Sequence, residues 1–415
     1  MEICKLKNCS IKALLVLIVF FPSFFGYTSL GTGQLIYLMF VLLFLLIIYL
    51  LNRRTKISSA ISPVFITLYL QSFLFLLTLL FNGFHSVPIY RDYFEPFRPV
   101  IYAFFFSCPL LLDYDKTDLI LFFRKLMLLS VFLDIIKFLP VAFPLLCLYS
   151  PFEFNSINYV RFSGSFGFCY NFGFIMLFLF AFSLLEKSTK RSKLLKSLSI
   201  ALLILFTGSR SIIAAFFFLL FVYCIVYVKG VHRKLGYIIV FCVGIAFAYL
   251  FLKSINVPFV DMIIQYVERL IDAIFGDGGD GSLDTRQGQL DMALSYLNQN
   301  VLLGAGPLKG SNEPIEMLIG YYLSSWGILG FMSYVILIFI FLRISFKCSY
   351  SSNFAIANFS KANFLWILTI PVVGMSSPIT DQVRVFNLFY IIQGLQAVLY
   401  TLIPQHYYKI FFLST

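Results

Sequence analysis

Apolar runs of roughly 15 to 22 residues recur along the chain between short polar breaks, the repeat required when each helix must cross about 30 Å of hydrocarbon. The pattern predicts spans at about 11–25, 34–51, 61–81, 99–112, 126–146, 168–185, 194–208, 211–228, 236–252, 316–343, 362–375 and 386–403. The expected fold is therefore an all-α polytopic membrane protein with about 12 transmembrane helices. One long polar interruption divides the chain into residues 1–252 with nine spans, a large loop at 253–315, and residues 316–415 with three more spans.

Inside that loop, Pro258 to Phe275 sets Asp261, Gln265, Glu268 and Asp272 on one helical face. Val260, Ile263, Val267, Leu270, Ile271 and Ile274 fall on the other, as in a helix that lies on the bilayer or packs on the spans. Gly276 to Gly281 (GDGGDG) is too rich in glycine for regular structure and reads as a flexible hinge. Asp277, Asp280 and Asp284 could coordinate a cation, but their spacing does not match an EF-hand loop. A second helix is expected from Asp284, as its N-cap, through Leu297, before Gly304-Ala305-Gly306-Pro307 turns the chain back toward the next span.

Composition agrees with the pattern: 60% of the 415 residues are hydrophobic and 12% charged, which excludes a water-soluble fold. The net charge of +12 could suggest a nucleic-acid partner, but its distribution argues otherwise. Lys and Arg gather on one side, as at Lys187, Lys190, Arg191, Lys193 and Lys196, whereas the short segments of the other side hold only Arg91, Arg98, Arg161, Arg210 and Arg384. The positive-inside rule then places both termini in the cytoplasm and the long loop outside, with lipid headgroups beside the cations. The basic start, Lys5, Lys7 and Lys12, resembles a signal peptide, but the stretch ending Phe24-Phe25-Gly26 lacks an A-x-A-like cleavage site, so a retained first span is expected. The eight cysteines are scattered without C-x-x-C spacing and read as small hydrophobes. Asp134 and Lys137 share a helical face, where they either neutralise each other or line a substrate path.

The external arginines are the candidates for chemistry, because charge at or near the membrane is costly. Arg210 stands in Thr207-Gly208-Ser209-Arg210-Ser211, a tight turn between two spans, with Ser211 as the expected N-cap of the second. A guanidinium beside a helix N-terminus suits a pyrophosphate; the alternative is an interfacial arginine snorkelling to headgroups. Arg286, near the helix expected at Asp284, either binds an anion likewise or pairs with Asp284 or another loop acid. Glu316 precedes Met317, Leu318 and Ile319; in an apolar neighbourhood it could serve a sugar hydroxyl as base or acceptor, and otherwise it is a solvated acid at a helix start. Arg161, in Arg161-Phe162-Ser163-Gly164-Ser165-Phe166-Gly167, lies in a turn that a ligand could approach closely. Arg98, which opens the fourth span, and Arg91 and Arg384 are substrate contacts or interfacial anchors. The external side carries no H-x-x-x-H or D-x-D, and no P-loop occurs, so neither zinc nor nucleotide is expected.

Three stretches together resemble the O-antigen polymerase and ligase superfamily. Leu205-Phe206-Thr207-Gly208-Ser209-Arg210-Ser211 is similar to its TGSR motif, and Arg161 to Gly167 to its R-x-x-G-x-F segment. The long loop, Gly304-Ala305-Gly306 and Tyr322-Leu323-Ser324-Ser325-Trp326-Gly327-Ile328-Leu329-Gly330 are similar to its G-x-G and G-I-x-G end. Ligases of the superfamily typically carry a histidine where this chain has Glu316, so the resemblance favours a polymerase. It implies a GT-C-like glycosyltransferase of the bacterial inner membrane that needs no metal or other cofactor. The implied donor is a growing glycan on undecaprenyl pyrophosphate, and the acceptor a single lipid-linked repeat unit, with a chain-length regulator protein as a further partner. On this reading Arg210 and Arg286 hold the pyrophosphate and Glu316 orients or deprotonates the acceptor. Arg161, Arg98, Arg91, Ser209 and Gly306 complete the substrate contacts.

Overall fold

The computed structural model describes residues 2–20, 41–43, 45–50, 61–84, 90–111, 116–136, 152–155, 159–162, 168–186, 189–228, 281–308 and 315–402, with a few isolated positions between them. The first half contains α1 (Glu2–Phe20), α2 (Ser62–Asn82), α3 (Tyr90–Phe94), a 3-10 turn (Glu95–Phe97), α4 (Arg98–Ser107) and α5 (Lys116–Ile136). A short hairpin follows, β1 (Phe152–Asn155) and β2 (Tyr159–Phe162), then α6 (Cys169–Leu185), α7 (Lys190–Phe206) and α8 (Arg210–Tyr227). The second half contains α9 (Gly281–Gln299), α10 (Leu318–Cys348), α11 (Phe354–Leu368), α12 (Ile370–Val373), a 3-10 turn (Ile379–Asp381) and α13 (Val383–Thr401). Four stretches among the described residues are long and apolar enough to cross a membrane: Ser62–Asn82, Arg210–Tyr227, Leu318–Cys348 and Phe354–Val373. The protein is thus a helical membrane protein.

Where a span is uniformly apolar, helix and expectation coincide within a residue or two, as for α2 and α8. The fifth helix differs. It begins at Lys116 rather than near 126, because its charged first turns have partners: Lys12 reaches Asp118 at 2.8 Å, and Arg124 reaches Glu186 at 2.8 Å. Asp134 closes toward its end and Lys137 follows it; their pairing lies outside the described side chains. The helix expected at 258–275, the span at 236–252 and the glycine hinge also lie outside the described residues, apart from Gly281 and isolated positions such as Gly236. Asp284 is not an N-cap, since α9 already starts at Gly281.

Arg161 sits in a strand rather than a turn, the one departure from all-helical structure among the described residues. The antiparallel register sets Phe152 opposite Phe162, Glu153 opposite Arg161 and Phe154 opposite Val160.

Helix α6 is the buried centre, with Phe174 and Phe178 packed on Trp366 of α11 at ring separations of 4.8 and 4.9 Å. Gly173 lets α8 approach: a Cβ there would lie 2.6 Å from Ile212. Polar side chains join α10, α11 and α13, where Asn363 and Gln393 exchange amide hydrogen bonds of 2.9 and 3.0 Å and Asn363 also donates to Ser345 at 2.9 Å. Such bonds hold helices together where lipid supplies no hydrophobic drive.

The long loop returns to the bundle through a backbone exchange. Helix α10 breaks at Gly327 (φ 63°, ψ −169°), so the carbonyls of Ser324 and Ser325 lose their usual i+4 donors. Ala305 and Gly306 donate to them instead, at 2.7 and 3.1 Å, while Ile328 and Leu329 donate to the carbonyls of Val301 and Leu302 at 3.0 and 3.2 Å. Close approach requires glycine on both sides: a Cβ on Gly304 would stand 2.5 Å from the Gly327 nitrogen, and one on Gly306 2.6 Å from the Gly83 carbonyl oxygen. The end of α2 secures the same segment, with Thr78 donating to the Leu303 carbonyl at 3.0 Å and Asn82 to the Gly304 carbonyl at 2.5 Å.

Candidate functional site

The two halves of the chain meet at Ser376, in the turn after α12. From one side comes the junction of α7 and α8. Thr207, Gly208 (φ 59°) and Ser209 connect these helices, and Arg210 is the first residue of α8. Ser209, in extended conformation, is the N-cap, two residues earlier than the expected Ser211. Ser211 is free of that role, and its hydroxyl hydrogen-bonds the Ser376 hydroxyl at 2.5 Å and that of Ser209 at 3.2 Å. Arg210 thereby sits beside the positive end of α8, half-buried, next to Ser376 through its neighbour.

From the other side comes α9. It docks on the start of α10 through small residues, Ala293 being buried and lying 3.4 Å from where a Cβ on Gly320 would be. This brings Arg286 to the Ser376 carbonyl, to which it donates at 3.0 Å. Its other terminal nitrogen faces the Glu316 carboxylate at 3.5 Å, and Gln289 accepts from both Arg286 (3.5 Å) and the Glu316 backbone N–H (3.4 Å). The structure therefore gathers the Ser209–Ser211 junction, Arg286 and Glu316 around one serine. Glu316 does not stand in the apolar neighbourhood considered for it: its side chain is 57% exposed, because α9 draws it outward to Arg286 while Ile315 and Leu318 turn inward. Arg286 thus has an acid partner, Glu316, at the start of the run into α10. Both guanidinium groups lie at helix-borne positions with forked donors, an arrangement suited to a bidentate oxyanion such as pyrophosphate.

A second, buried charged network surrounds Arg98, its other members not being among the residues the sequence singles out. Glu95, 1% exposed, accepts from Arg98 at 2.5 Å and from the Tyr321 hydroxyl at 2.6 Å. Asp381, also buried, accepts from Tyr102 at 2.8 Å and Tyr322 at 3.3 Å, and its carbonyl lies 3.5 Å from the second terminal nitrogen of Arg98. Ser72 of α2 donates to the Pro96 carbonyl at 2.6 Å. Ser72 precedes the Asn82 end of α2 by ten residues, so at about 1.5 Å per residue the network sits roughly 15 Å along the helix from that end. Arg98 thus faces protein acceptors rather than the membrane interface. The i,i+3 spacing of Glu95 and Arg98 was the signal available in the sequence.

The remaining candidates are dispersed. Gly306 uses its N–H on Ser325 and packs against Gly83 within the loop-to-helix exchange. Arg91 lies in α3, Arg161 in β2 and Arg384 at the start of α13, and their side chains are outside the described set.

A family model, Wzy_C, described as O-antigen ligase, matches residues 195–326, a stretch that contains Arg210, Arg286 and Glu316. No curated protein matches the chain.

Proposed function

We propose that this member of the O-antigen polymerase and ligase superfamily, a placement supported by the match over residues 195–326, joins lipid-linked oligosaccharide repeat units into a polysaccharide. The donor in this reading is the growing glycan on undecaprenyl pyrophosphate and the acceptor the non-reducing end of a new unit, with the reaction at the periplasmic face of the inner membrane. The observation that carries it is the convergence of the Arg210 junction and Arg286 on Ser376. In this reading the guanidiniums of Arg210, at a helix N-terminus, and of Arg286 stabilise the charge that grows on the pyrophosphate as the glycosidic bond breaks. Glu316, poised against Arg286, takes or accepts the proton of the attacking sugar hydroxyl once the incoming pyrophosphate draws Arg286 to itself.

Ligation of finished polymer onto a lipid acceptor is the second reading, favoured by the description of the matching family. The two separate in cells lacking the protein. Loss of a polymerase leaves surface core bearing one unit, whereas loss of a ligase leaves polymer on the carrier and none on the core. For the residues themselves, Arg210→Ala is expected to leave insertion in the membrane intact and to lower polymer synthesis by about 100-fold or more, by analogy with removal of one oxyanion donor. An unchanged polysaccharide ladder would count against the site.

A further inference from the structure

We infer that Arg98 and Glu95 form a positioning pair for the phosphate-binding shelf, acting through Tyr321 and Asp381 rather than by touching substrate; the inference rests on the function proposed above. Besides Ser72 of α2, which holds the Pro96 carbonyl, the bonds described above carry the network to two segments outside residues 95–102, and both of these carry shelf residues. Tyr321, which donates to Glu95, follows Glu316 by five residues on the same run into α10. Asp381, whose carbonyl faces Arg98 and whose carboxylate holds Tyr102 and Tyr322, follows Ser376 by five residues in the turn leading to α13. The turn is further fixed by Thr380, which hydrogen-bonds Tyr334 at 3.0 Å. Leu318 donates to the Gly374 carbonyl at 2.8 Å, so the two segments are also tied directly to each other.

Stability alone does not call for such a network. A buried ion pair replaced by well-packed apolar residues often leaves a protein as stable or more so, because desolvation offsets the attraction between the charges. Directional bonds do something that apolar contacts cannot, which is to fix two segments at one spacing. Here that spacing sets where Glu316 and the Ser376 carbonyl stand, and these are the groups that Arg286 touches outside its own helix. Arg98, which the sequence offers as a substrate contact, is instead the strut beneath the contacts.

The test uses the full chain in detergent or nanodiscs with synthetic polyprenyl-pyrophosphate repeat units, with turnover normalised to folded protein. The paired replacement Glu95→Gln with Arg98→Met removes the charges together, so that neither is left buried alone, and Tyr321→Phe removes one hydrogen bond without changing the packing. The expected result is a fall in kcat of at least 30-fold for the pair and several-fold for Tyr321→Phe, with KM for the lipid-linked donor moved less than threefold. Arg98→Lys with Glu95 intact should recover part of the loss. In an Arg286→Ala background the pair should cost little more, since the contacts of Arg286 with Glu316 and Ser376 that it sets are gone. Unchanged kcat per folded molecule, or losses that simply multiply with Arg286→Ala, would overturn the inference. If Arg210→Ala and Arg286→Ala themselves leave turnover unchanged, the proposed function fails instead, and the two failures are told apart.

Discussion

At Gly327 a single residue decides whether the long loop can join the bundle. Its φ of 63° lies in the left-handed region, and an added Cβ would fall 2.3 Å from the Leu302 carbonyl oxygen. Left-handed backbone alone costs an L-residue roughly 1–2 kcal/mol, and a clash with immovable backbone adds to it. Gly327→Ala is therefore expected to destabilise the protein by at least about 2 kcal/mol, read as a lowered midpoint of thermal unfolding in detergent, while Gly288→Ala, where a Cβ meets nothing, should raise or leave the midpoint unchanged. Glycine spacing is visible in a sequence, and the G-x-G and G-I-x-G stretches were singled out as such. Their mutual contact was not visible, because nothing in Gly304 or Gly327 names the other. Glu95 was missed for a different reason: an acid near a span start looks solvated until Tyr321, more than two hundred residues away, is found on its oxygen.

Among the elements, those surrounded by apolar neighbours were the legible ones. Hydropathy reports what a helix is immersed in, so α2 and α8 stand out, whereas the start of α5 is masked by charges, Asp118 and Arg124, that Lys12 and Glu186 neutralise. The hairpin was hidden because four residues per strand offer only two periods of alternation. The polar seam between α11 and α13 is testable as a unit. Asn363→Leu strands the Gln393 amide inside the bundle, and a stability loss of about 1–2 kcal/mol is expected from chemical denaturation in mixed micelles. Adding Gln393→Leu should recover much of that loss, since both partners are then apolar; a loss equal to the sum of the single changes would show that the amides do not act as a pair.

For the whole molecule, the distribution of charge makes the strongest physical statement. The basic start of α7 and the shelf at Arg286 are expected on opposite sides of the membrane. A single cysteine placed at exposed Arg191 should resist a membrane-impermeant maleimide in intact spheroplasts, while one at exposed Thr285 should react; labelling of both from one side would refute the orientation. Nothing in periodicity could have set Arg286 against Ser376, since the contact joins residues separated by 90 positions and depends on α9 docking across α10.

The exchange at Gly327 has a thermodynamic corollary. Four backbone bonds link residues 301–306 to 324–329, and the same donors and acceptors on α10 would bond one another if the helix were straight. A straight α10 would form two helix bonds from these groups where docking forms four, and Thr78 and Asn82 add two side-chain bonds to the docked form. One hydroxyl and one amide on α2 thus act as a latch that holds the end of the loop to the break in α10.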